Sequence, residues 1–113
     1  MRELEKVLKA LGDKNRLRIL KVLEKRKMCV CEIADILGIT QPSVSRHLKK
    51  LKDAGLIGGE QDGLWTNYYL KRKAGRYIEV LLQSLKRWLN EDKTIKEDLL
   101  RAKKVDRNSL CHR

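Results

Sequence analysis

Apolar residues recur at i, i+3, i+4 and i+7 in two neighbouring stretches near the middle of the chain. Beyond Cys29, the residues Val30, Ile33, Ala34 and Leu37 mark one face of a helix. After Gly38-Ile39-Thr40, the residues Val44, Leu48 and Leu51 mark another. Gly38 can take the positive φ that stops the first helix, and Thr40 can cap the second. Pro42 falls in the first turn of the second helix, where a missing N–H costs nothing. Two short amphipathic helices around a glycine-containing turn predict a helix-turn-helix.

The flanking patterns extend this unit. Leu4, Val7, Leu8 and Leu11 form a helical stripe that Gly12 ends. Asp13 can cap a second helix carrying Leu17, Leu20 and Leu23, which Lys25-Arg26-Lys27 should close with the charge its dipole prefers. After Gly55 the pattern turns to strand. Leu56 to Glu60 should pair with Leu64 to Leu70 across Gln61-Asp62-Gly63, because Asp-Gly is a strong hairpin signal. A hairpin after the second helix is a wing, with Trp65, Tyr68 and Tyr69 anchoring it on the core. A further helix from about Ala74 to Leu89 carries Tyr77, Ile78, Leu81, Leu82, Leu85, Trp88 and Leu89. That stripe is wider than a terminal helix on so small a core requires. It predicts a homodimer, with Leu4, Val7, Leu8, Tyr77, Ile78, Leu81, Leu82, Leu85 and Trp88 at a two-fold interface between first and last helices. The segment from Glu91 to Arg107 is highly charged and can continue as a helix through Ile95, Leu99 and Leu100. Asn108 to Arg113 reads as a mobile tail. The fold class expected is mainly α with a small β-hairpin: a winged helix-turn-helix domain over 1–90 and a charged extension over 91–113.

Charge adds the partner. The chain has 113 residues and a net charge of +12, from 27 Lys and Arg against 15 Asp and Glu. Such a balance favours a polyanion, and a dimer doubles it. No apolar run approaches the roughly 20 residues that span a bilayer, so no membrane partner is expected. The opening Met1-Arg2-Glu3-Leu4-Glu5 is charged and helical in pattern, unlike a signal peptide. Three cysteines, two of them one residue apart, make no disulfide framework, which points to a reducing cytoplasm. No paired carboxylates, nucleophile–base set or phosphate loop suggests an enzyme.

The second helix of the central unit has an outward face that suits double-stranded DNA. With Val44, Leu48 and Leu51 inward, Arg46 points almost directly away, flanked by Lys49 and Lys50, with Ser45 at the side. Arg reads guanine edges, Ser reads several bases and Lys holds phosphates. Early residues of a recognition helix reach bases, which adds Thr40, Gln41 and Ser43. His47 falls beside the buried stripe, where a bond to a backbone carbonyl is the expected role. The wing tip, with Asp62, is poor in basic residues.

Four stretches together resemble the ArsR family of winged-helix repressors, the arsenic- and metal-responsive regulators. Leu11-Gly12-Asp13 before Arg16-Leu17-Arg18-Ile19-Leu20 is similar to the family's opening signature. Met28-Cys29-Val30-Cys31-Glu32-Ile33-Ala34 is similar to its Cys-x-Cys helix, and Gln41 to Leu48 to its recognition helix. Gly63 to Leu70 resembles its wing. The resemblance covers about residues 4 to 90. It implies a homodimer that holds an operator and lets go when an ion binds. Two departures stand out. Ala34 occupies the position where arsenic-responsive members often carry a further cysteine, and the last helix lacks the histidines that bind zinc in other members.

The cysteines then carry the sensing chemistry. Trivalent arsenic and antimony take soft thiolates, commonly three, and the chain offers Cys29, Cys31 and Cys111. Arsenite or antimonite is the expected inducer. Cadmium, lead or zinc are alternatives, since His112 beside Cys111 could complete a Cys₃His set. A redox or reactive-sulfur response would use the same thiols without an ion. In a regular helix Cys29 and Cys31 would differ by about 200° and could not chelate one ion, so ligation must distort the first turn. Both thiols, near a helix N-terminus, are expected to have lowered pKa.

Overall fold

Local capping sets the helix boundaries. The computed structural model describes residues 1–106. Cys111 and His112 therefore lie outside the described residues, as does the tail expected from Asn108. Helix α1 spans Arg2–Leu11 and ends at Gly12. Helix α2 spans Lys14–Leu23, with the Asp13 carboxylate accepting from the Arg16 amide at 3.0 Å. Helix α3, Val30–Leu37, stops at Gly38 with φ +71°, the left-handed conformation that glycine adopts without strain. Helix α4, Gln41–Asp53, starts at Thr40, whose Oγ1 accepts from the Ser43 amide at 3.3 Å.

The strand β1, Ile57–Asp62, pairs antiparallel with β2, Trp65–Leu70, from Ile57 opposite Leu70 to Asp62 opposite Trp65. The loop is therefore Gly63-Leu64, two residues later than the Gln61-Asp62-Gly63 turn expected. Gly63 takes φ +62° at the first loop position, the backbone a two-residue hairpin loop needs there. Met28, in the connection before α3, joins the wing as an isolated antiparallel bridge to Tyr68, with bonds of 3.1 and 2.8 Å. A Lys27–Glu60 ion pair adds a second tie between that connection and β1. Tyr69 lies across Gly58, where a Cβ would come within 2.7 Å of the ring, so any larger residue must push the ring aside.

Helix α5 spans Arg76–Arg87 and α6 spans Lys93–Ala102. The core gathers Val7, Ile19, Leu20, Ile33, Ile36, Val44, Leu48, Leu51 and Ile57 from α1 to β1. Val44, Leu48 and Leu51 of α4 are all buried to 1% exposure or less. At roughly 1.5–3 kcal/mol each, they set which face of α4 turns outward. Helix α6 packs on α2 and α3, and its Ile95 and Asp98 are buried. Two expectations need correction. Lys25-Arg26-Lys27 do not close α2, which stops at Leu23 with Glu24 as its C-cap. The basic residue of the last turn is Lys21, fully buried, with Nζ paired to Glu24 at 2.9 Å and donating to the Leu85 carbonyl at 2.8 Å. Val7, Ile78, Leu82 and Leu85, expected on an interface between subunits, have already withdrawn their surface into the subunit's own core. Among the described residues no helix is long and apolar enough to cross a membrane.

Candidate functional site

Helix α4 presents the polar face its periodicity predicts: Gln41, Ser45, Arg46, Lys49 and Lys50 are exposed, and Ser43 is half-buried. That face is tied to itself. Arg46 Nη2 donates to Ser43 Oγ at 3.2 Å, and Thr40 Oγ1 donates to the same oxygen at 3.1 Å. Lys49 pairs with Asp53 at 3.3 Å, both ends exposed. Exposed pairs of this kind are worth about 0.2–1 kcal/mol, so a phosphate or base edge can displace them.

His47 does not satisfy a backbone carbonyl. Its Nδ1 lies 3.3 Å from Arg16 Nη1, whose guanidinium is held by the Ala10 carbonyl at 2.6 Å and the Lys9 carbonyl at 3.1 Å. A guanidinium only donates, so this contact needs the neutral tautomer with Nδ1 as acceptor. Burial pushes the His47 pKa down, and the Arg16 charge adds to that against the opposing pull of Asp13. The ring thus ties α4 to α2.

The cysteines sit at the start of α3. Cys29 is its N-cap, in an extended conformation with φ −92° and ψ 172°, so it stands outside the helix that Cys31 occupies. The 200° separation of a regular helix does not apply to the pair. Cys29 is buried, and its amide donates to Glu32 Oε1 at 3.0 Å within a capping box. The expected lowering of its thiol pKa is overturned. Burial pushes the thiol up and the neighbouring Glu32 carboxylate adds to the rise, outweighing the help of the helix amides. Cys31 is half-buried, and its sulfur accepts from Gln41 Nε2 at 3.6 Å. Gln41 opens α4, so the Cys31 sulfur touches that helix directly. Cys31 is disulfide-bonded. Ala34, in place of a further cysteine, is a buried core position. Among the described residues no three His, Cys, Asp or Glu side chains converge on a point that could hold a metal ion. Cys29 and, once its disulfide is reduced, Cys31 would offer two soft donors, and any third must come from elsewhere.

Two features were not foreseen. Glu32 also binds Arg26 at 2.7 Å, and Arg26 reaches the carbonyls of Ala102 and Val105 at 3.2 and 3.1 Å. The signal was present, since Glu stands three residues after the N-cap, but cysteine is an unusual cap. Asp98 pairs with both Arg18 and Arg101. The Arg101 pair is an i, i+3 contact on one helix face, but nothing in local spacing announces the one to Arg18. Elsewhere on the surface, Leu8, Val80 and Trp88 are exposed at 52, 63 and 55%, and Leu4, Tyr77 and Leu81 are half-buried. An almost wholly apolar cavity of about 370 Å³ is lined by Leu11, Leu17, Leu81, Leu82, Leu85, Trp88 and Leu89.

Comparison with known proteins places this geometry. The model of the bacterial regulatory protein arsR family matches residues 13–58. The arsenic resistance transcriptional regulator ArsR2 of Pseudomonas putida is 32% identical over 114 residues, covering 93% of this chain and 94% of that one. The arsenical resistance operon repressor of Bacillus subtilis is 42% identical over 71 residues, 62% of this chain and 68% of that one. Among solved structures, the homodimeric winged helix-turn-helix DNA-binding domain of Mb0332 from Mycobacterium bovis is 28% identical. It aligns with a TM-score of 0.67 over 80% of this chain and 81% of that one.

Proposed function

The chain belongs to the ArsR family of DNA-binding transcriptional regulators, which are not enzymes, and from that premise we propose a repressor that releases its operator when a thiophilic ion binds its cysteines. Arsenite or antimonite is the inducer favoured. One observation carries the reading: the Cys31 sulfur lies 3.6 Å from Gln41 Nε2, at the first residue of α4. An ion drawing Cys31 and Cys29 together must rotate the first turn of α3, and Gln41 is the side chain that feels it. Thiolate ligands select soft ions, and the two neighbouring sulfurs supply them. Cys111 is the third donor proposed. The Val105 carbonyl is held by Arg26 beside the start of α3, and Cys111 follows six residues later, a span of at most about 20 Å. On DNA, Arg46 reads bases, Lys49 and Lys50 hold phosphates, and Gln41, Ser43 and Ser45 contact the groove near the helix start. Thr40 serves as their cap. The unit that binds is a homodimer, closed by the exposed apolar surface of α1 and α5.

A second reading, a thiol redox response, has its own support. Cys31 is already engaged in a disulfide, so oxidation and ion binding compete for the same sulfur.

The test is fluorescence anisotropy on the reduced dimer bound to its operator, titrated in parallel with arsenite, antimonite, cadmium, lead, zinc and an oxidant. Release by arsenite or antimonite at the lowest concentration is expected. Cys29→Ser and Cys31→Ser should keep DNA affinity and lose release, whereas Cys111→Ser should only weaken it. Near-complete switching needs a differential affinity of about 5.5 kcal/mol, so losing it is easily read. Release by oxidant alone would favour the redox reading. Unchanged release from the Cys29→Ser and Cys31→Ser variants would remove the ligand assignment.

A further inference from the structure

Helix α3 is held to α6 at both ends. At its C-terminal end the Ile36 carbonyl accepts from Arg101 Nε at 2.7 Å, and the Leu37 carbonyl accepts from Arg18 Nη2 at 3.1 Å. These belong to the last turn, whose carbonyls an α-helix leaves without helical partners. One carboxylate aims both guanidiniums. Asp98, fully buried on α6, accepts from Arg18 Nε at 2.8 Å and Nη2 at 2.9 Å, and from Arg101 Nη2 at 2.9 Å. At the other end, Arg26 joins Glu32 to the carbonyls that close α6.

The position of this cluster matters more than its energy. A buried ion cluster adds little net stability over an apolar one of the same volume, because desolvation offsets the attraction. What it does supply is direction, since planar guanidiniums bind in a narrow range of geometries. Here the two directed bonds land on the residues just before Gly38, where the chain turns into α4. No group of the cluster lies on the outward face of α4. We propose that Asp98 is a positioning residue for operator recognition: through Arg18 and Arg101 it fixes the last turn of α3, and so the angle at which α4 enters the major groove. This rests on the DNA-reading role proposed for α4. It adds that α6, which carries none of the proposed DNA contacts, sets sequence discrimination.

The experiment separates positioning from bulk stability. An operator is selected from a random duplex library with wild-type protein. Affinities for it and for a scrambled duplex are then measured well below the melting temperature, with folding checked by circular dichroism. Asp98→Asn should lower the operator-to-scrambled ratio by about tenfold, the worth of one charge-assisted bond. Scrambled-DNA affinity and its salt slope should stay as in wild type. Arg101→Met leaves Asp98 paired with Arg18 and removes the Ile36 contact together with Arg101's own bond to Asp98. It should lower the ratio by about threefold and remain folded if Asp98→Asn does not. A lower melting temperature with an unchanged ratio in the folded variants would overturn the proposal. Hydrogen exchange on the free protein tests the brace without DNA. The Gly38 and Ile39 amides, both bonded to the Ala34 carbonyl, should exchange several-fold faster in Arg101→Met while the α2 core stays protected. Unchanged exchange at those two amides would also overturn it. A wild-type protein that selects no sequence would instead remove the repressor reading, leaving hydrogen exchange to decide the brace alone.

Discussion

Helices α4 and α5 are both amphipathic, and both bury one face in the same core, yet their outer faces differ in kind. Outside α4 stand Ser45, Arg46, Lys49 and Lys50. Outside α5, Val80 and the capping Trp88 stand among the exposed Arg76, Glu79, Gln83, Lys86 and Arg87. Water satisfies the first face at no cost, so its composition is free to suit DNA. The apolar part of the second loses by being wet, so it suits another apolar surface. The inner face of a helix reports the fold, and the outer one reports the partner. Reading all of α5 as an interface blurs that distinction, because Ile78, Leu82 and Leu85 are the inner face.

The largest effect expected follows from this division. Leu82→Glu should unfold the subunit rather than merely part a dimer, since an unpaired buried carboxylate costs several kcal/mol. Loss of the cooperative thermal transition by circular dichroism is the readout. A folded monomer would place Leu82 on the outside and break the comparison. Next come Val80→Glu and Trp88→Glu, on the outer face. Together they should keep the far-ultraviolet spectrum, sediment as monomers at micromolar concentration, and lose operator binding because two half-sites are then read singly. A variant that stays dimeric would show that this face meets no partner.

On α4 the effects are smaller and sort by atom. Arg46→Ala should cost about 1–3 kcal/mol on operator and relax base preference if its contact is bidentate. On the proposed reading, ion response lies on the α4 side of the molecule, so it should follow Cys29 while dimerisation does not. The raised Cys29 pKa keeps the thiol protonated at neutral pH. A divalent ion must displace that proton, so the cadmium, lead or zinc concentration giving release should fall as pH rises, by up to about tenfold per unit for one proton. Arsenite, which arrives as As(OH)₃ and carries each thiol proton away as water, should release with little dependence on pH. The sign for stability is the reverse. A thiol raised in the folded state loses that contribution as pH climbs through the alkaline range. A flat profile for cadmium between neutral and alkaline pH would take Cys29 out of the site. Smallest is Lys49→Ala, which should weaken all sequences alike and reduce the salt slope by about one.

Legibility follows sequence distance. The caps at Asp13, Gly38 and Thr40 are readable because each acts within a few residues of itself. The inward face of α4 is readable because helical geometry alone determines it. The hairpin is legible but its loop is not. Asp-Gly marks the turn, yet Asp62 pairs with Trp65 and leaves Gly63-Leu64 to make it. The Cys29 pKa runs opposite to expectation because helix-end amides are visible in a sequence and burial is not. The partner of His47 depends on Arg16, 31 positions away. The Arg18–Asp98 pair is out of reach altogether, since any of several acids could answer any of many arginines.

That last pair has a bearing on how the molecule comes into being. Arg18 and Asp98 are 80 positions apart. A ribosome adding about 5–20 residues per second makes Asp98 about 4–16 seconds after Arg18. During that interval α2, α3 and α4 are already made and can collapse on their shared apolar side. The last turn of α3 then has only its local bonds, with neither arginine yet aimed. On the positioning role proposed for Asp98, a nascent chain of this kind carries a charged helix able to cling to any DNA, while its grip on one sequence arrives only with α6.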